Sequence, residues 1–471
     1  METLLSTSTG YILLISYGLF MFGISYFYLK ESKTNTNFLV SDRKVGFMKS
    51  GFSTAATWIW APALFIASQK AYQQGLPGVF WFTVPNIICL CIFAYFAQYL
   101  RNKFKNGFTL AQYMNVRYSR RVQILYIISL SALSICQFAV QLLAGGAVVT
   151  YLTGIDYTVV TVILTAIALS YSFVSGIRAS IMTDVWQMII ILIVVLVVVP
   201  LVYIQGGGYD VMVKGIGGIS GEYSNVFDSS VAWSFGIVVS IGLLAGPFGD
   251  QSFWQRAFTT KQNEVKKSFL LSALVFGVVP IFTSVIGFMG AGLGIDAGGN
   301  AQLINVITVS ELLPTFILIP FVWMLLSGLV STLDSGLCSI SSIASTDIIP
   351  NSKNKLTNAR TGMVLLSIGG IALANIPDMK ILYLFIFYGT LRASTLIPTI
   401  YTIINKKVSE PGMFYGITTS LVIGVPMFAY AKFNGLTDLA VWSSIFTVSA
   451  SGIIVYYFTN YGSIKKKRNW N

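Results

Sequence analysis

Residues 243–251 read Leu243-Leu244-Ala245-Gly246-Pro247-Phe248-Gly249-Asp250-Gln251, inside a run, 231–255, that is otherwise apolar enough to lie in lipid. A proline within a helix removes one hydrogen bond and clashes with the carbonyl four residues back. Here two glycines and a carboxylate sit beside it. A second interruption is Thr57-Trp58-Ile59-Trp60-Ala61-Pro62, in the run 51–67, where Pro62 should free the carbonyl of Trp58.

Working outward, thirteen apolar runs follow one another: 11–29, 51–67, 78–100, 124–151, 158–174, 185–204, 231–255, 269–293, 316–344, 361–376, 381–404, 413–431 and 440–458. Most are near the roughly 20 residues that a bilayer requires. The interrupted runs are the second and the seventh, five apart. They are the first members of two five-helix units, 49–204 and 231–404, the second of which enters the membrane from the opposite side. Interrupted helices at matching places of inverted repeats point to a binding site near the midplane of a transporter. Residues 1–48 add a first helix and loop, and 405–471 add two helices and a basic tail. The first run lacks a basic stretch before it and a small-residue cleavage site after it, so it is expected to be a retained helix.

Composition agrees. Of 471 residues 55% are hydrophobic and 10% charged, against about 25% charged in ordinary globular chains. Such a chain cannot cover a water-facing surface, and the expected class is an all-α polytopic membrane protein. The absence of histidine excludes His-based acid–base catalysis, Ser-His-Asp triads and His-containing metal sites. No nucleophile–base pair appears, so an enzyme is not expected, nor is any cofactor beyond a coupling ion. The four cysteines lie in apolar runs and read as small hydrophobes. The net charge of +13 follows topology: 25 of the 30 basic residues fall in the alternate loops that begin at 30, 101, 176, 256, 345, 405 and 459. By the positive-inside rule the N-terminus is outside and the C-terminus inside. Nucleic-acid binding is a poor reading of that charge, and the partners expected are the bilayer, a small solute and an ion. The glycine-rich stretch 205–230 follows no strand and does not cradle phosphate.

Charge at the bilayer centre costs about 2.5–3.5 kcal/mol on insertion scales and requires a reason. In the ninth run, Gly328, Ser331, Asp334 and Ser335 share one helical face, with Thr332 beside them. Hydroxyls, carbonyls and a carboxylate suit a hard monovalent cation. Asp184 opens the sixth run, either as an interfacial partner of Arg178 or as a ligand that reaches the ninth run. Arg392 lies mid-helix in the eleventh, open to Asp334, Asp250 or an anionic solute group. Gln137 and Gln141 share a face of the fourth run, where tertiary hydrogen bonding is the plain reading.

These residues resemble the sodium:solute symporter family, whose core is the inverted repeat of the leucine-transporter fold. The resemblance spans runs 1 to 12. It is carried by Phe38-Leu39-Val40-Ser41-Asp42-Arg43-Lys44-Val45-Gly46, Phe108-Thr109-Leu110-Ala111-Gln112-Tyr113-Met114, Gly176 to Gln187, Asp250-Gln251 with Gln255-Arg256, and Ser331-Thr332 with Asp334-Ser335. It implies a sodium site built from the carbonyls of Ala55, Trp58 and Gly328 and the hydroxyls of Ser331 and Thr332. It also implies a second sodium at Asp184, Ser331, Asp334 and Ser335, with a carboxylate where the family carries a hydroxyl. Trp58-Ile59-Trp60-Ala61 and Asp250 to Gln255 look most like the urea-transporting branch, from which Pro62, Arg392 and the run 333–335 depart.

The leading expectation is a sodium-coupled symporter for a small polar solute: urea-like, amino-acid-like or a carboxylate. Thr57, Trp60, Trp81, Gln141, Asp250, Gln251 and Arg392 are expected near that solute. The alternatives are proton coupling through Asp334 or Asp250, or a non-transporting sensor or channel of the same fold. The membrane expected is the plasma membrane.

Overall fold

The computed structural model describes residues 4–27 and 34–461, apart from 378, 380 and 406. Lys30, Lys33, Lys380 and the tail at 465–468 lie outside them. The described chain is helical: α1 Thr7–Tyr26, α2 Asn35–Val40, α3 Phe47–Trp58, α4 Ala61–Lys103, α5 Leu110–Arg117, α6 Arg120–Thr153, α7 Tyr157–Ser175, α8 Ile177–Gln205 and α9 Gly208–Gly215. The second half comprises α10 Ser229–Leu244, α11 Gly246–Gly249, α12 Gln251–Thr259, α13 Val265–Leu293, α14 Ile304–Leu312, α15 Thr315–Ile343, α16 Lys355–Ala374, α17 Ile381–Ile404, α18 Glu410–Phe433 and α19 Thr437–Asn460. Ten helices among the described residues are long and apolar enough to cross a membrane. The protein is a multi-pass membrane protein.

The prolines interrupt the helices differently from expectation. Pro62 is at the start of α4, where a missing N–H is one of the helix's unpaired donors anyway. The break lies just before it, at Ile59 (ψ 66°) and extended Trp60 (φ −90°, ψ 179°). Pro247 likewise starts the single turn α11, and the extended residue is Asp250, three positions later (φ −114°, ψ 118°). Proline here begins the helix that follows a break.

Helix α4 is two helices that meet at Gly75, which takes φ +55°. A Cβ there would lie 2.3 Å from the Ile216 carbonyl oxygen and 2.5 Å from that of Tyr223, so the turn requires glycine. The loop that closes over it is the glycine-rich stretch 205–230: Ile219 N–H donates to Tyr72 O at 2.7 Å and Leu76 N–H to Ile216 O at 3.0 Å.

The short loops after α2, α4 and α12 meet on one basic face. Arg43 donates to the carbonyls of Gly107 (2.8 Å), Asn106 (2.9 Å) and Phe258 (3.3 Å). Burial first, then the charge of Arg101, lower its pKa to about 10, so it stays charged at neutral pH. The chain entering α3 and the chain leaving α12 are tied by two peptide hydrogen bonds. Lys261 N–H donates to Val45 O at 2.9 Å, and Val45 N–H to Thr259 O at 3.3 Å. Bonded hydroxyls of Ser50, Thr260 and Ser268 continue the seam. The half-helices α3 and α12 are thus fastened together at this end.

Candidate functional site

Two polar clusters are built around the breaks, joined by α12. The first lies where α15 crosses α3, α8 and α12. Helix α15 is buried from Met324 to Ile343, so its polar stripe must find partners within the protein. Thr332 Oγ1 donates to the carbonyls of Gly328 (3.1 Å) and Thr57 (3.2 Å). A Cβ on Gly328 would lie 2.7 Å from the carbonyl oxygen of Ile59, so the bare glycine lets the broken end of α3 approach α15. The carbonyl of Ala55 accepts the N–H of Ile59 at 2.8 Å, and Trp58 ends α3 beside it.

Ser331 turns the other way, donating to Asp184 Oδ1 at 2.6 Å. Asp184 Oδ2 accepts from Ser53 (2.6 Å) and from Arg256 Nη2 (2.7 Å), with both charged side chains fully buried, at 0% exposure. The same guanidinium donates to Ser335 Oγ (2.6 Å), Ser53 Oγ (3.0 Å) and the carbonyl of Ser252 (3.2 Å). Asp184 therefore pairs with Arg256. Arg256, counted as a loop charge from the sequence, is a core residue of the membrane domain. Two of the four residues assigned to a second sodium, Asp184 and Ser335, are thus bonded to a cation, one tethered to α12. Asp334 faces hydroxyls instead: Tyr171 (2.5 Å), Ser180 (2.8 Å), Thr183 and Ser335 (both 3.3 Å).

The second cluster lies between the breaks. Asp250 caps α12, accepting from Ser252 N–H at 2.8 Å. Its other oxygen accepts from Tyr388 Oη (2.9 Å) and Arg392 Nη2 (3.3 Å), and Arg392 also donates to Tyr388. This resolves the open partner of Arg392 as Asp250. Close approach of α10 and α17 places the arginine there: a Cβ on Gly242 would lie 2.8 Å from Gly389 Cα. The guanidinium carbon lies 5.5 Å from the ring centroids of both Trp58 and Trp60.

Several residues expected at the solute take other partners in this structure. Trp81 packs on Phe80 and against Gly236 of α10. Gln251 is committed to structure, accepting from Leu110 N–H (3.1 Å) and donating to Phe108 O (3.0 Å) and Ser342 Oγ (3.2 Å). Gln141 caps the start of α4 through Ala61 N–H at 2.8 Å. Thr57 turns to Ser53 and Ser335 in the first cluster. Only Trp60, Asp250 and Arg392 of the expected set meet at the second cluster. No site role was read from the sequence for Ser53, Tyr171, Ser180, Arg256 or Tyr388. Ser53 had a signal, standing one helical turn before Thr57.

A cavity of about 620 Å³ opens on the basic face, lined by Asp42, Lys44, Lys49, Arg178, Lys261 and Glu264 among others. None of the clustered residues lines it. Beside Arg392 the free space is about 10 Å³, room for roughly one water.

A model of the sodium:solute symporter family matches residues 38–420. Urea-proton symporter DUR3 of Oryza sativa subsp. japonica is 22% identical over 89% of this chain and 65% of its own length. The chain therefore spans less than two thirds of that relative. The sodium/pantothenate symporter of Haemophilus influenzae is 24% identical over 88% of both chains. A solved Na+-coupled sialic acid symporter superposes with a TM-score of 0.82 at 18% identity, covering 98% of this chain and 99% of its own. That likeness places the two in one fold.

Proposed function

We propose that this chain, which belongs to the sodium:solute symporter family, imports a small polar solute coupled to sodium by alternating access. The architecture we assign is thirteen spans with inverted repeats at 49–204 and 231–404, the N-terminus outside and the C-terminus inside, in the plasma membrane. One observation carries the reading: α12 is capped by Asp250, in the solute cluster, and carries Arg256 in the ion cluster, six residues or about 9 Å along one rigid rod. A change at either cluster moves the other. The sodium lies where Gly328 and Thr332 meet the carbonyls at the end of α3, Ala55 and Trp58 included, and Ser331 joins them by turning its hydroxyl from Asp184 to the ion. Inward passage of one positive charge gains about 2.3 kcal/mol per 100 mV, enough to drive accumulation.

The test is unfolding of the purified protein across a sodium titration, with choline keeping ionic strength constant. A ligand held by the folded state alone stabilises it by about 2.7 kcal/mol at 100 times its Kd. The parent should follow that curve, and Ser331→Ala/Thr332→Ala should be flat. A flat parent would overturn the reading.

A second reading is proton coupling. It is favoured by the burial of Asp334, a carboxylate whose hydrogen bonds come from hydroxyls and not from a cation, and by the urea-proton symporter among the relatives. Uptake that follows pH and ignores sodium would select it.

A further inference from the structure

We infer that the solute has no net charge and presents a hydrogen-bond acceptor at one end and a donor or positive pole at the other, so that it replaces the Arg392–Asp250 contact. This rests on the symporter reading above and deepens it. The pair is buried, and the adjoining cavity of about 10 Å³ cannot hold a solute beside it. A solute bound at this cluster then takes the place of the contact between the partners.

That requirement selects by charge. An anion bound at Arg392 would strand Asp250 as an unpaired carboxylate in the protein interior. A cation bound at Asp250 would strand the guanidinium. Breaking a buried pair from one side is strongly unfavourable, whereas a dipole satisfies both ends at once. The unspent groups fit the acceptor end of such a dipole. Trp58 Nε1 and Arg392 Nε are buried donors with no acceptor within hydrogen-bond reach, and both belong to this cluster. The rings confine the solute: Trp58 and Trp60 are near-parallel with centroids 6.4 Å apart, and Tyr388 stands 5.2 Å from Trp60. A small amide and a small zwitterion share this chemistry.

The experiment is thermal unfolding of the purified protein in saturating sodium with urea, glycine and proline, against acetate, propionate and methylammonium. At least one of the first three should raise the midpoint, and none of the last three should. A response to urea marks an amide solute; a response to glycine or proline marks a zwitterion. Asp250→Asn should lose that response and gain one to acetate or propionate, because the arginine is left alone. Arg392→Gln should instead gain one to methylammonium. Where a single variant does not fold, Asp250→Asn/Arg392→Gln removes both charges and should respond to none of the six. A parent stabilised by acetate or methylammonium, or variants that keep the parent's order of preference, would overturn the inference. Silence of all six on a parent that sodium still stabilises would overturn it too, while leaving the symporter reading intact. Loss of the sodium effect itself would count against that reading instead.

Discussion

Arg256→Met lowers the stability of the folded protein by about 3–5 kcal/mol, the usual cost of removing one partner of a buried ion pair. The loss comes from Asp184, left as a bare carboxylate among Ser53, Ser331 and Ser335 with 0% exposure. Asp184→Asn/Arg256→Met should regain most of it, since the amide oxygen still accepts from one of Ser53 and Ser331, its NH2 can donate to the hydroxyl of the other, and no charge is stranded. Urea unfolding of both variants in detergent, compared with the parent, checks this. The single variant should also change its response to sodium. The oxygens of Ser53, Asp184 and Ser335 that hold the guanidinium are ones a sodium ion accepts. Stabilisation by sodium should therefore rise more steeply with its concentration than in the parent. An unchanged slope would show that Arg256 does not stand in a cation's place.

Gly328→Val removes sodium-dependent stabilisation altogether, a loss of about 2.7 kcal/mol at 100 times the parent's Kd. The first atom of any side chain there meets the Ile59 carbonyl oxygen at 2.7 Å and Leu64 Cδ1 at 2.7 Å, so the break in α3 must move away from α15. The carbonyls then no longer face Thr332. Gly336→Ala is the control on the same helix. Its Cβ would find Leu366 and Phe138 at 3.8 Å, ordinary contact, and the change should be neutral or stabilising by up to about 1 kcal/mol. Its sodium titration should overlay the parent's. A Gly328→Val protein that still responds to sodium would remove the ion from the crossing of α3 and α15.

Much of this was legible in the sequence because lipid imposes a severe grammar. Apolar runs must be helices, and a Pro-Gly interruption is conspicuous inside them, so both breaks were recognised. Their positions were misread by about two or three residues, because Pro62 and Pro247 begin helices, a role indistinguishable from kinking when neighbours in space are unknown. Asp184 and Arg392 were singled out because charge in lipid requires explanation, yet their partners were not fixed. Arg256 escaped for the converse reason. It stands just past an apolar run, where basic residues are routine, and only the depth of α12 reveals it as buried. Trp81 and Gln251 show the limit of composition. A tryptophan and a glutamine near a break suit a binding site equally well as a packing wall or a loop clasp, and only contacts decide.

The tie between Val45 and the 259–261 backbone also supplies a clock. Two peptide hydrogens, those of Val45 and Lys261, are held by partners on the opposite half-helix. Deuterium replaces them only when α3 and α12 part at the basic face, so isotope uptake at these two positions counts such openings without label, electrode or solute. If the half-helices swing together as one body, both hydrogens stay protected while neighbouring loops exchange. If they separate, both are lost, and where exchange is faster than reclosing they are lost at one rate, the frequency with which the protein opens toward this side.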